Sequence, residues 1–209
     1  MATASTHKRK PCKNKLSRRI GENLWGRAKA PKRITQAPGQ HGAGRRGKLT
    51  DYGVQLKEKQ KLKGYYANIN ENQFRRIYDA ATRRQGNSSE NLVKLLEARL
   101  DALVYRLNFA ATPFAARQLV NHKHVLVNGK VVNIPSYTCK PGDVIELRPK
   151  ARQMAVVMGC VEKIERPVPS YLSLEPQNFK GVFIREPQFD EVPYAVQMNP
   201  GLVIELYSR

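Results

Sequence analysis

A chain of 209 residues with 37 Lys and Arg against 17 Asp and Glu carries a formal charge of +20 at neutral pH. A field of that sign and size draws a polyanion and governs association rather than fold. Composition also excludes two classes: no apolar run is long enough to span a bilayer, and the three cysteines, Cys12, Cys139 and Cys160, are too scattered for a disulfide framework and suit a reducing cytoplasm.

The charge is polarised. Residues 1–50 hold 14 basic and one acidic side chain, a net of +13; residues 51–150 carry +8 and residues 151–209 carry −1. The basic end should face nucleic acid, and the near-neutral end is left to pack against protein. Met1 to Lys10 lacks the apolar stretch of a secretory signal.

Residues 1–48 read as an extended basic arm. Its stretch from Ala37 to Gly47 is too rich in Gly and Pro for a regular element and should order on its partner. Arg18, Arg19, Arg27, Gln40, His41, Arg45 and Arg46 are its candidate nucleic-acid contacts. Trp25, with no apolar stripe around it, is expected to stack on a base, and Tyr65 and Tyr66 are further stacking candidates. Gly42 to Lys48 matches the opening of a phosphate-binding loop, but Leu49 stands where Ser or Thr must ligate magnesium and no strand precedes it. It reads as part of the arm.

Thr50 or Asp51 should cap a helix running to about Lys63, with Tyr52, Leu56 and Leu62 turned inward and Lys57, Lys59 and Lys61 available to RNA. Asn70 with Gln73 forms a capping-box pattern ahead of a stripe of Phe74, Ile77, Tyr78 and Ala81, which leaves Arg75, Arg76 and Arg83 outside it. Gly86 ends that helix. Asn87 opens the next, where Leu92, Leu95, Leu96, Leu100, Leu103, Val104 and Leu107 recur as on one amphipathic helix, with Arg99 and Arg106 stacked on one side. Thr112-Pro113 is an N-cap followed by Pro at the first helical position; Phe114, Ala116, Leu119 and Val120 face inward, with Arg117 and Gln118 at the edge.

Asn128-Gly129 between Val125–Val127 and Lys130–Val132 predicts a β-hairpin. A turn at Lys140–Asp143 leads to a strand at Val144–Leu147. A helix near Met154–Ile164, with Met154, Met158 and Cys160 as core filling, precedes short strands that end in Leu202–Leu206. The fold class is α+β, divided as an arm (1–48), a helical domain (49–97), a two-helix and antiparallel-hairpin domain (98–165) and a C-terminal segment (166–209).

Arg99, Arg106, Arg117, His122, Lys123, His124 and Lys130 should line one rim of the two-helix and hairpin unit from about Arg99 to Leu147, with Gln118 and Asn128 as further candidate RNA contacts. A row of fixed donors suits the phosphates and 2′-hydroxyls of folded RNA, which is read by shape. The bland alternative is a helix pair with solvated charges. His122 and His124 have the chemistry for acid–base catalysis, but no paired carboxylate or nucleophile lies near them in sequence; they read as donors to phosphate or as solvated loop residues.

These motifs carry a resemblance. Leu96–Asp101 with Val104–Leu107, then Ala116–Val125, Val127–Lys130, Asn133–Tyr137 and Pro141–Ile145, resemble the small RNA-binding domain named after ribosomal protein four. Pro38–Gly42, Asp51–Gln60, Gln73–Arg76 and Leu202–Ser208 are similar to the flanks of the bacterial-type family of small-subunit ribosomal protein four, so the resemblance covers nearly the whole chain.

It implies a hairpin-bearing domain inserted into a mostly helical one, with the C-terminal segment returning to it. It implies direct binding to the 5′ domain of small-subunit ribosomal RNA, a part in early assembly, and a place near the channel by which messenger RNA enters. Small-subunit ribosomal proteins three and five would be neighbours, and contact with protein five would bear on decoding accuracy. Some members repress their own operon. Glu205 and Tyr207, in the near-neutral end, are the candidate protein contacts. No small-molecule substrate is implied.

One departure matters. Many relatives hold zinc with four cysteines in the arm, whereas this arm has Cys12 alone, and His7 and His41 restore no ligand spacing. No zinc or other cofactor is therefore expected. Two other classes use the same small domain: RNA-modifying or tRNA-charging enzymes, which need a further catalytic domain, and heat-shock RNA chaperones, which need neither the Pro38–Gly42 arm nor this C-terminus.

Overall fold

The computed structural model describes residues 13–26, 34–44 and 47–208. The chain from residue 13 begins with helix α1 (Lys13–Ile20), followed by α2 (Asp51–Tyr65), α3 (Glu71–Arg83) and α4 (Ser88–Glu97). Next come α5 (Leu100–Arg106), α6 (Pro113–Asn121), strands β1 (Val125–Val127), β2 (Lys130–Val131) and β3 (Val144–Leu147), and helices α7 (Pro149–Arg152) and α8 (Ala155–Glu162). Strands β4 (Leu172–Glu175) and β5 (Lys180–Phe183) and helix α9 (Pro200–Ser208) complete it.

The caps explain several boundaries. Thr50 Oγ1 accepts from Gly53 N, Asn87 Oδ1 from Ser89 N, and Thr112 Oγ1 from Ala115 N ahead of Pro113. Each satisfies a donor that a helix start leaves orphaned. Asn70 caps α3 in position only, without the side-chain bond of a capping box.

The sheet is antiparallel throughout, in the order β2-β1-β3-β5-β4. Asn128 (φ 51°) and Gly129 (φ 75°) both adopt left-handed backbone, as a type I′ hairpin turn demands. Val125 lies opposite Leu147, and Val127 opposite Ile145, which in turn lies opposite Gly181. All five are buried, so the pleat sends one face of the sheet into the core. A Cβ on Gly181 would collide with the Leu107 side chain, which fixes how closely the sheet approaches the end of α5.

Four expectations need correction. The long helix over 92–107 is broken: Arg99 is extended (ψ 139°) and bridges Thr138, so α4 and α5 are separate. Leu202–Leu206 is not a strand but the body of α9, whose Val203 is buried and which packs on α2 and α4. The arm is not wholly extended, because α1 buries Leu16 and Ile20. A Cβ on Gly64 would stand 2.8 Å from Leu16, so this glycine permits the close contact of α1 with α2. Tyr52 is 56% exposed rather than core, and Met154, the N-cap of α8, and Met158 on that helix are exposed too, at 38% and 42%. Strands β4 and β5, from the C-terminal segment, join the sheet of the 98–165 domain.

Candidate nucleic-acid interface

The basic residues separate into two populations. One is wholly or partly buried and bound to acids within the fold. Arg106, 4% exposed, donates through Nε (3.0 Å) and Nη2 (2.7 Å) to the carboxylate of Glu97 and through Nη1 to Pro193 O. Glu97 also accepts from Tyr66 (2.6 Å) and Tyr171 (2.9 Å). Burial opposes the charge on both partners, but their attraction outweighs it, holding the carboxyl below its ordinary range and the guanidinium above its own. Arg99, 3% exposed, is bound through Nε and Nη2 to Asp101. Arg117 shares that carboxylate and donates to the carbonyls of Tyr66 and Ala67. Lys61 is buried between Glu22 (2.8 Å) and Glu58 (3.6 Å).

Arg99 and Arg106 therefore do not line the rim where sequence spacing put them, and Lys61 does not face outward. A buried cation needs a carboxylate, and these three have one. Arg117 is only partly buried, but its donors are spent on protein. Lys59 pairs with Glu71 at 2.8 Å, and Lys63 with the same carboxylate at 2.6 Å. Tyr207 joins them, its hydroxyl donating to Glu71. Burial works against the charge on Glu71, yet these three donors hold its carboxyl at about 2. Trp25 is not free to stack on a base: it is buried, its Nε1 donates to Tyr65 O at 3.0 Å, and its ring meets Phe114 edge-on. Tyr65 and Tyr66 are buried as well.

The second population is exposed. Arg75, Arg76 and Arg83 stand outside the buried Phe74–Ala81 stripe of α3 and make no ion pair among the described residues. Gln118, His122, Lys123, Asn128 and Lys130 are exposed along the end of α6 and the hairpin, with His124 half-buried beside them. Asn128 Nδ2 donates to Asp143, while its Oδ1 accepts from Val144 N, so its amide ties the turn to β3. The His122 and His124 rings lie 6.2 Å apart. Partial burial, then His122, Lys150 and Arg148, push His124 below the usual histidine range. A histidine among cations suits contact with phosphate better than general-base work beside a carboxylate.

In the arm, Arg19, Gln40 and His41 are exposed, and Arg18 donates to the carbonyls of Gln36 and Ala37. Lys57 is half-buried on α2, and Glu205 is exposed on α9. Arg27, Arg45 and Arg46 lie outside the described residues, as do Cys12 and His7. Among the described residues no three His, Cys, Asp or Glu side chains gather as a metal site requires, and no helix is long and apolar enough to cross a membrane. Sequence reasoning missed Arg166, whose guanidinium lies 4.1 Å from the centre of the Tyr105 ring and donates to Ala110 O.

Residues 8–97 match the family described as the ribosomal protein S4/S9 N-terminal domain, and residues 98–145 match the S4 domain. The chain is 61% identical over 203 residues to the small ribosomal subunit protein uS4 of Rhodospirillum centenum, across 97% of this chain and 99% of that one. It belongs to the uS4 family. The proteins of that name from Granulibacter bethesdensis and Chelativorans are 59% and 58% identical, each across 97% of this chain and 99% of their own length. The uS4 family consists of ribosomal structural proteins and not enzymes, which removes the catalytic reading of His122 and His124. The S4 domain of this uS4 chain presents His122 and Lys123 just after α6 and Lys130 on the hairpin, while Arg99 and Arg106, at the two ends of α5, serve the interior.

Proposed function

We propose that this chain binds the 5′ domain of small-subunit ribosomal RNA directly and helps nucleate assembly of the subunit. Beside small-subunit ribosomal proteins three and five, it lines the region where messenger RNA enters and bears on translational accuracy through protein five. It acts in the cytoplasm without zinc or another cofactor.

One observation carries the reading. Acidic partners inside the fold take up Arg99, Arg106, Arg117 and Lys61, whereas Arg75, Arg76, Arg83, Lys123 and Lys130 stay exposed without an ion pair among the described residues. Unneutralised cations on preformed helices and a hairpin suit a folded polyanion recognised by shape. Reversing Arg75, Arg76 and Arg83 together to Glu tests it. Affinity for a 5′-domain RNA fragment should fall by at least about 100-fold at physiological salt with the melting temperature unchanged. Unchanged affinity would remove α3 from the interface.

A further inference from the structure

We propose that the groove between α3 and the loop 134–139 receives one unpaired nucleotide of the bound RNA, with its phosphate on Arg76. This rests on the RNA-binding reading above. The groove encloses about 250 Å³ where the helical part of the chain meets the S4 domain. Ile77, Ala80 and Leu95 give it an apolar surface, while Gln73 on one side and Ser136 and Thr138 on the other supply an amide and two hydroxyls. Arg76 stands at it, exposed and without an ion pair among the described residues. Arg99 also lines it, and because Arg99 shares the single carboxylate of Asp101 with Arg117, its charge is only partly offset at the groove.

That mixture selects a ligand. A purely apolar guest would strip water from the amide, the hydroxyls and Arg76 without replacing it. A bare anion would leave the apolar surface wet. A nucleotide satisfies all three parts: the base face lies on Ile77 and Leu95, the base edge exchanges hydrogen bonds with Gln73, Ser136 or Thr138, and the phosphate meets the cation. RNA junctions and loops supply such splayed nucleotides.

The groove is also preformed. Buried Phe74 and Ala81 fix α3. The opposite wall is zipped to the start of α5 by Leu100 N donating to Tyr137 O (2.8 Å) and Asp101 N to Pro135 O (3.2 Å), with Cys139 N donating to Ala98 O (2.8 Å). A guest therefore meets walls that need no ordering.

The test uses the full chain and the 5′-domain RNA fragment, with chemical probing of base reactivity. Ala80 is exposed, so Ala80→Trp fills the groove without touching the core. The bound wild type should protect one unpaired base that Ala80→Trp leaves reactive, with affinity about tenfold lower, the order of one lost base contact. Ser136→Val should restore part of that same reactivity and no other. If both variants bind with wild-type affinity and wild-type protections, the groove is empty and the proposal falls while RNA binding stands. If the wild type itself fails to bind the fragment, the parent reading falls and takes this one with it.

Discussion

Glu97→Gln removes one charge from a site that is closed to water. Glu97 is fully buried, and Arg106 faces it with two hydrogen bonds of 2.7 and 3.0 Å. The substitution keeps shape and volume but leaves the guanidinium buried without a counter-ion. Breaking such a pair costs about 3–5 kcal/mol, because the charge that remains has lost both water and partner. Tyr66 and Tyr171 donate to opposite oxygens of Glu97, so the amide oxygen keeps only one of these bonds and the other hydroxyl must accept from the amide NH2, which places the loss near about 4 kcal/mol. For a chain of this size each kcal/mol moves the melting temperature by about 2–4 °C, so a drop of about 8–16 °C is expected.

The cluster ties Tyr66 after α2, Glu97 in α4, Arg106 in α5 and Tyr171 before β4. Urea unfolding followed by Trp25 fluorescence and by far-UV circular dichroism should therefore shift together. Replacing the pair with Glu97→Leu and Arg106→Met should recover part of the loss, since no buried charge is left unpaired, although the Tyr171 hydroxyl loses Glu97 and Pro193 O loses Arg106. A loss below about 1 kcal/mol for Glu97→Gln would refute the reasoning, because it would mean that Arg106 finds water or another acid.

Acid should weaken the fold through the same chemistry. Glu71 is held at about 2, and Glu97 is also held below its ordinary range. Both values are depressed in the folded state, so their contribution is full above the unfolded value of about 4.3 and is lost as pH falls through the folded one. The urea midpoint should drop from about pH 5 towards pH 2, and Glu71→Gln should flatten the part of that slope due to Glu71; an unchanged slope would dismiss its ion pairs. Arg117→Ala should cost about 2 kcal/mol of stability through the carbonyls of Tyr66 and Ala67 that it leaves bare. Its RNA affinity should stay within about threefold of wild type, and a larger loss of affinity than of stability in parallel titration and melting would return Arg117 to the interface.

Local signals were legible in the sequence. Asn128-Gly129 announced the hairpin and Thr112-Pro113 the start of α6, because each encodes a backbone geometry within a few residues. The break at Arg99 was not legible, since the leucine spacing runs through it unbroken and the cause is a pairing with Thr138, 39 positions on. The C-terminal run looked like a strand from Val203 and Ile204, but Pro200 at its start and packing on α2 and α4 make it a helix. The same limit explains the site. Sequence shows where arginines are, not which find acids. Glu97 lies nine residues from Arg106, a separation that no single helix brings together, so the charge of Arg106 read as free when it was spent.

The most direct test is binding of the purified chain to a 5′-domain fragment of small-subunit ribosomal RNA across a salt series, with transfer RNA and unrelated duplex as competitors. If six to ten phosphates are engaged, affinity should fall by about 10³–10⁵ between 50 and 200 mM salt and should survive both competitors. A flat salt response, or equal displacement by all three RNAs, would contradict shape-specific ribosomal RNA recognition by these exposed cations.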